Sequence, residues 1–111
     1  MDMDYYSKTA IITAIYPGKG EFLGLLYTIL QLNGESGEIA EKIGKIIRDK
    51  ESKISQEDRL AMAYELGDVL WYVNACAREL GFDLQTIAAL NLEKLASRKE
   101  RGKLGGSGDE R

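Results

Sequence analysis

Two acidic pairs carry the chemistry open to this sequence. Glu35-Ser36-Gly37-Glu38, with Glu41 close behind, is followed by Glu65-Leu66-Gly67-Asp68. Residues three apart are neighbours on a helix surface, so each pair can aim two carboxylates at one point. The 111-residue chain has no histidine and one cysteine, Cys76. That composition excludes a Ser-His-Asp or Cys-His triad, a His-ligated zinc, a histidine base, a disulfide framework and a Cys-rich zinc site. Carboxylate, lysine, arginine and hydroxyl remain. An enzyme built from these works with oxygen-ligated hard cations such as magnesium or manganese.

Helical geometry brings the two pairs into relation. At about 100° per residue, Glu35 and Glu38 lie to one side of an apolar stripe. Glu65 and Asp68 lie to the same side of the stripe on the next helix. Two antiparallel helices packed stripe to stripe then place all four carboxylates on one side of their seam. Four converging carboxylates cannot stay ionised together without cations. A cation held there can clamp a polyphosphate and lower the pKa of a bound water. The competing reading is a solvated acidic face, which a lone pair at this spacing usually is.

The elements that must position these residues follow from periodicity and punctuation. Residues 2–15 read as a helix ending at Tyr16-Pro17-Gly18, a turn signal. From Glu21 to about Asp49, Phe22, Leu25, Leu26, Ile29, Leu32, Ile39, Ile43, Ile46 and Ile47 recur at helical steps. Gly34, Gly37 and Gly44 inside that run imply close approach of another element, or a kink. Ser55 is a fitting N-cap for a third helix with Glu57 and Asp58 in its first turn. Its stripe is Met62, Leu66, Val69, Leu70, Val73, Cys76, Ala77 and Leu80, and Gly81 closes it. Asp83 caps a fourth helix bearing Leu84, Ile87, Ala88, Leu92 and Leu95. The expected fold is all-α, an antiparallel bundle of about four helices, with two long central helices carrying the acidic motifs. Residues 1–111 form one domain, with a helical core to about residue 101 and a Gly-rich, mobile tail over 102–111.

A net charge of −3, with no long basic run, argues against nucleic-acid or anionic-membrane partners. No apolar run approaches the roughly 18 residues of a membrane span. The acidic N-terminus lacks the basic region of a signal peptide, so a cytoplasmic location is expected.

At the acidic motifs the chain resembles the MazG-like nucleotide pyrophosphohydrolases, part of the all-α NTP pyrophosphatase superfamily. Three blocks carry the resemblance: Asn33-Gly34-Glu35-Ser36-Gly37-Glu38-Ile39-Ala40-Glu41-Lys42, Glu65-Leu66-Gly67-Asp68-Val69-Leu70-Trp71-Tyr72, and Asn91-Leu92-Glu93-Lys94-Leu95-Ala96-Ser97-Arg98 with the Gly-rich end. The similarity runs from about Tyr16 to Arg111. It implies hydrolysis of a nucleoside triphosphate between the α and β phosphates, giving monophosphate and pyrophosphate. It implies Mg2+, with Mn2+ as an alternative, held by Glu35, Glu38, Glu65 and Asp68. Glu38 or Glu35 would orient or deprotonate the attacking water.

The resemblance associates Lys94 and Arg98 with the phosphates. Asn91 shares their helix face, and Tyr72, one turn beyond Asp68, is placed to reach the nucleotide. The structural alternatives are an ordinary basic helix end for Lys94 and Arg98, and core packing for Tyr72. Trp71 departs from the main stripe of its helix and reads as an oligomer contact before a base contact; Leu23 and Leu30, also off the main stripe of theirs, imply association. The family is dimeric or tetrameric, so a homo-oligomer is expected, a tetramer before a dimer. Two other functions stay open: a pyrophosphohydrolase acting on another substrate such as phosphoribosyl-ATP, and a helical interaction protein without catalysis. The presence of all four carboxylates weighs against the last.

Overall fold

A computed structural model of the chain describes residues 1–110; Arg111, the last residue of the expected tail, lies outside them. Among the described residues every regular element is helical. Helix α1 spans Met3–Ala10, α2 spans Phe22–Asp49, α3 spans Gln56–Glu79 and α4 spans Leu84–Glu100. The fold class is therefore the all-α bundle read from the sequence. Among the described residues no helix is long and apolar enough to cross a membrane.

The helix ends follow their local chemistry. Ser55 and Asp58 form a reciprocal capping box: the Asp58 N–H donates to Ser55 Oγ and the Ser55 N–H to Asp58 Oδ2, both at 3.0 Å. Gly81, at φ +86°, ends α3 in a Schellman turn. The Phe82 N–H reaches the Ala77 carbonyl at 2.9 Å, and the Gly81 N–H reaches Arg78 at 3.0 Å. Asp83 caps α4 through the Thr86 N–H at 2.8 Å. Helix α2 turns into α3 through Glu51 and Ser52, both with positive φ, closed by Lys53 N–H to the Lys50 carbonyl.

The N-terminal segment departs from expectation. Helix α1 stops at Ala10, and Ile11–Thr13 make only a 3-10 turn before the chain extends at Ala14. The β-branched run Ile11-Ile12-Thr13 weakens the helix, and Pro17 disfavours helical backbone just before it. The extended strap crosses the α2 N-terminus closely. A Cβ on Gly24 would collide with the Gly18 carbonyl, so only glycine fits there. Buried polar bonds tie α1 to α3: Ser7 Oγ donates to Asn74 Oδ1 at 2.6 Å, and Asn74 Nδ2 donates back to the Ser7 carbonyl at 3.1 Å.

Helices α2 and α3 are antiparallel partners along most of their length. On α2 the shielded positions include Leu25, Thr28, Leu32, Glu35, Ile39, Lys42 and Ile46. On α3 they include Asp58, Met62, Glu65, Val69, Tyr72, Cys76 and Glu79. Both sets step by three and four, the seam pattern of a coiled coil. The seam coincides with the expected apolar stripes only in part: Leu25, Leu32, Ile39, Ile46, Met62, Val69 and Cys76 belong to both. Phe22, Leu26, Ile29, Ile43 and Ile47 of α2 are exposed, as are Leu66 and Leu80 of α3. The expected close approach at Gly34, Gly37 and Gly44 is also absent within the chain, because a Cβ on any of them meets nothing within 4 Å. Periodicity tells which residues share a face; it does not tell which face a neighbour covers.

The chain is correspondingly open. Its radius of gyration is 16.8 Å, whereas a compact domain of this length has about 13 Å. The buried hydrophobic residues are small or few: Ala14, Ile46, Ala75, Ala77 and Leu84.

The capping box yields a pH prediction. The Lys50 ammonium, then the Ser55 backbone and hydroxyl, hold the Asp58 carboxyl down at about 2. An acid depressed by folding stabilises above its unfolded value, about 4, and loses that contribution as pH falls through its folded value. Asp58→Asn should therefore lower the melting temperature at neutral pH, with the deficit fading between about pH 4 and pH 2. Thermal melts of both proteins across that range measure it.

Candidate metal and nucleotide site

The α2–α3 seam carries charge where a simple helix pair would carry leucine. Antiparallel register sets Lys50 beside Asp58 at 2.8 Å and Lys42 beside Glu65 at 3.8 Å. One turn further along the seam, Glu35, Glu38 and Glu65 converge. One carboxylate oxygen from each lies within 4.8 Å of the others. Glu35 and Glu65 are half-buried, and Glu38 is exposed. Glu35 therefore stands in the seam itself, not to one side of it.

The acidic group has the marks of a cation site. Glu35 Oε2 and Glu65 Oε2 are shielded from solvent and have no hydrogen-bond partner. A buried polar atom left unpaired costs about 1–3 kcal/mol, more when charged. Such atoms are few in native structures, and a bound water or ion is one of the things that completes them. The donors are all carboxylate oxygens, the set preferred by hard divalent cations. Among the described residues Lys42 is the only cation paired with the group, and it reaches Glu65 alone.

Asp68 stands outside this trio. It lines an open cavity of about 560 Å³ that Glu35 also lines. Tyr72 faces the same cavity, together with Tyr16, Tyr27, Trp71 and Thr13. Burial pushes the Tyr72 hydroxyl above the usual tyrosine range, and the charges of Tyr27, Glu35 and Asp68 add to it. The rings form a box. Tyr16 and Tyr27 are parallel, with centroids 5.9 Å apart. Trp71 meets Tyr16 and Tyr72 edge to face at 6.3 and 4.9 Å.

The strap positions two of these rings. Trp71 Nε1 donates to Thr13 Oγ1 at 2.9 Å and to the Ala10 carbonyl at 3.2 Å. The Tyr16 hydroxyl donates to Glu79 Oε1 at 2.6 Å, and the Gly20 N–H reaches the same carboxylate at 3.0 Å. The sequence reading took Trp71 for a base or oligomer contact; in the structure its N–H is held by the strap of its own chain.

Helix α4 is not brought to the carboxylates. It packs on α1 and α3, and among the described residues no α2–α4 packing occurs. Lys94 and Arg98 instead hold Asp109 of the tail, at 3.0 and 3.1 Å. Asn91 is exposed on α4. Sequence reasoning also passed over Lys42, Tyr16, Tyr27 and Glu79. Lys42 was visible as a seam residue seven beyond Glu35; the others had no local signal, because their contacts are made across the chain.

With this geometry in view, the comparisons are specific. Residues 24–102 match the MazG nucleotide pyrophosphohydrolase domain. The chain belongs to that family. It is also 50% identical, over the full length of both chains, to "Gene 37 protein" of Mycobacterium phage L5. No solved structure matches it. The family match begins at Gly24, so α1 and the strap lie outside it.

A cation titration tests the acidic group. Saturating Mg2+ or Mn2+, at a hundredfold over the dissociation constant, should stabilise the protein by about 2.7 kcal/mol. The melting temperature should rise by several degrees, and Glu35→Gln and Glu65→Gln should abolish the rise. In EDTA, Glu38→Gln should melt higher than the unaltered protein, because one repelling charge is gone.

Proposed function

We propose that the protein is a Mg2+-dependent nucleoside triphosphate pyrophosphohydrolase, cleaving (d)NTP between the α and β phosphates to (d)NMP and pyrophosphate. The observation that carries the reading is the convergence of Glu35, Glu38 and Glu65, with two shielded and unpaired oxygens, in a chain of this family. Mg2+, with Mn2+ as a substitute, would neutralise phosphate charge and acidify a bound water.

The chain's own residues divide the remaining work. Glu35, Glu65 and Asp68 hold the cation. Glu38, the exposed member of the trio, takes the proton of the attacking water, since no histidine is present to do so. Lys42 balances the acidic group and orients Glu65. Tyr72 lies against the nucleoside.

Lys94 and Arg98 together neutralise phosphate. They already grip one anionic group, the Asp109 carboxylate, whose own pKa they depress, Lys94 first and Arg98 second. Asn91 extends the same face. Because α4 does not approach α2 in one chain, these cations serve the carboxylates of a second copy.

Association is the natural fate of so open a chain. Leu30 is 69% exposed, Phe22 73% and Leu92 67%. Surfaces of that kind on α2 and α4 mark an interface. The protein is accordingly a homo-oligomer, a tetramer before a dimer. It works in the cytoplasm on free nucleotides, with no nucleic-acid or membrane partner.

Three measurements test this. Incubation with Mg2+ and each nucleoside triphosphate, alongside phosphoribosyl-ATP, should release pyrophosphate and a monophosphate from a nucleoside triphosphate; none from any of them ends the reading. Glu38→Gln and Asp68→Asn should each lower turnover by a hundredfold or more while the helices stay folded by circular dichroism. Sedimentation should show no monomer at micromolar concentration, and Leu30→Glu should break the assembly.

A further inference from the structure

We propose that residues 13–17, pinned by Glu79 through Tyr16, form the specificity wall of the site: they close an aromatic cavity against Tyr27 and Trp71 that receives the base of the nucleotide. The inference rests on the catalytic reading above for its phosphate end and on the cavity itself for its base end.

The cavity has the right size and the right walls. Its volume of about 560 Å³ falls within the roughly 300–1,000 Å³ of small-molecule sites. Four aromatic rings, Tyr16, Tyr27, Trp71 and Tyr72, line it together with the carboxylates Glu35 and Asp68. A flat heteroaromatic group placed against these rings would leave its phosphates for Glu35 and Asp68, and Glu35 also belongs to the acidic trio. Stacking on tyrosine and tryptophan needs only a π-face, so every base can bind; preference comes from the wall's shape.

The wall is held by specific bonds, not by bulk. Glu79 sits at the last turn of α3 and accepts from both the Tyr16 hydroxyl and the Gly20 N–H. These bonds keep the Tyr16 ring parallel to Tyr27. Thr13 is fixed independently, donating to the Ala10 carbonyl at 2.8 Å while accepting from Trp71. Gly24 lets the strap lie this close to α2. Glu79 touches neither base nor phosphate; it is a positioning residue. Residues 13–17 precede the family match, so this part of the cavity lining lies outside the shared domain.

Trp71 is the only tryptophan in the chain, and it provides a readout that needs no hydrolysis. The full-length protein is titrated in EDTA with phosphate-free nucleosides and, separately, with inorganic pyrophosphate. Nucleosides should quench Trp71 fluorescence saturably, and pyrophosphate should not. Tyr16→Ala and Glu79→Ala should weaken nucleoside binding on the order of tenfold, the scale of one base–aromatic contact. With nucleoside triphosphates they should raise KM by a similar factor, shift the ranking of bases and leave kcat within a few-fold. Glu79→Gln, which keeps the acceptor oxygen, should restore binding. If Glu79→Ala does not fold, Tyr16→Phe, which removes only the hydroxyl, takes its place.

The two readings fail separately. Nucleoside quenching without hydrolysis of any nucleotide supports the base pocket and ends the catalytic reading. Hydrolysis with KM and base ranking unchanged in folded Tyr16→Ala overturns the wall and leaves the catalytic reading standing. Absence of any nucleoside effect on Trp71 overturns the wall as well.

Discussion

The structure turns on the placement of like charges inside a helix–helix seam. Glu35 and Glu65 occupy positions that a coiled-coil seam ordinarily gives to apolar residues. Each leaves one shielded oxygen without a partner. Such an arrangement is unfavourable for the bare chain, since carboxylates in a seam repel and lose hydration. It is favourable only when positive charge arrives. Lys42 supplies part of that charge at Glu65. The same three- and four-residue stepping that packs α2 on α3 therefore also builds the acidic group.

The rest of the molecule can be understood as support for this strained middle. The seam is anchored at one end by Lys50, Asp58 and Ser55. At the other end Glu79 gathers the Tyr16 hydroxyl and the Gly20 N–H. Between them, buried Asn74 joins α3 to α1 through Ser7. The largest fully buried side chains are polar: Asn74, Thr28 and Ser7. A single chain thus holds its shape by directed hydrogen bonds and leaves most large apolar side chains on its surface.

Much of the fold was legible from local sequence. The Ser55 capping box, the Gly81 turn and the Asp83 cap were all readable because each is settled within a few residues. The length and helicity of α2 and α3 were readable from periodicity. The glycines of α2 were not: Gly34, Gly37 and Gly44 face open space, while the close approach falls at Gly24. The N-terminal helix was read as too long, since the β-branched run and Pro17 outweighed its apolar content.

The sequence by itself determined the helices, their ends and the candidate chemistry, because propensity, capping and i, i+3 spacing act over a single turn. It also placed Glu35, Glu38, Glu65 and Asp68 on facing helices. Only the tertiary structure decided that Glu35 stands within the seam, that Glu38 and Glu65 join it, and that Asp68 turns toward the aromatic cavity. It also decided that Lys94 and Arg98 lie apart from the acids and grip Asp109. The reason is physical. Periodicity fixes the angle of a residue about its own helix, whereas the neighbour it meets depends on register and on which face the next helix covers.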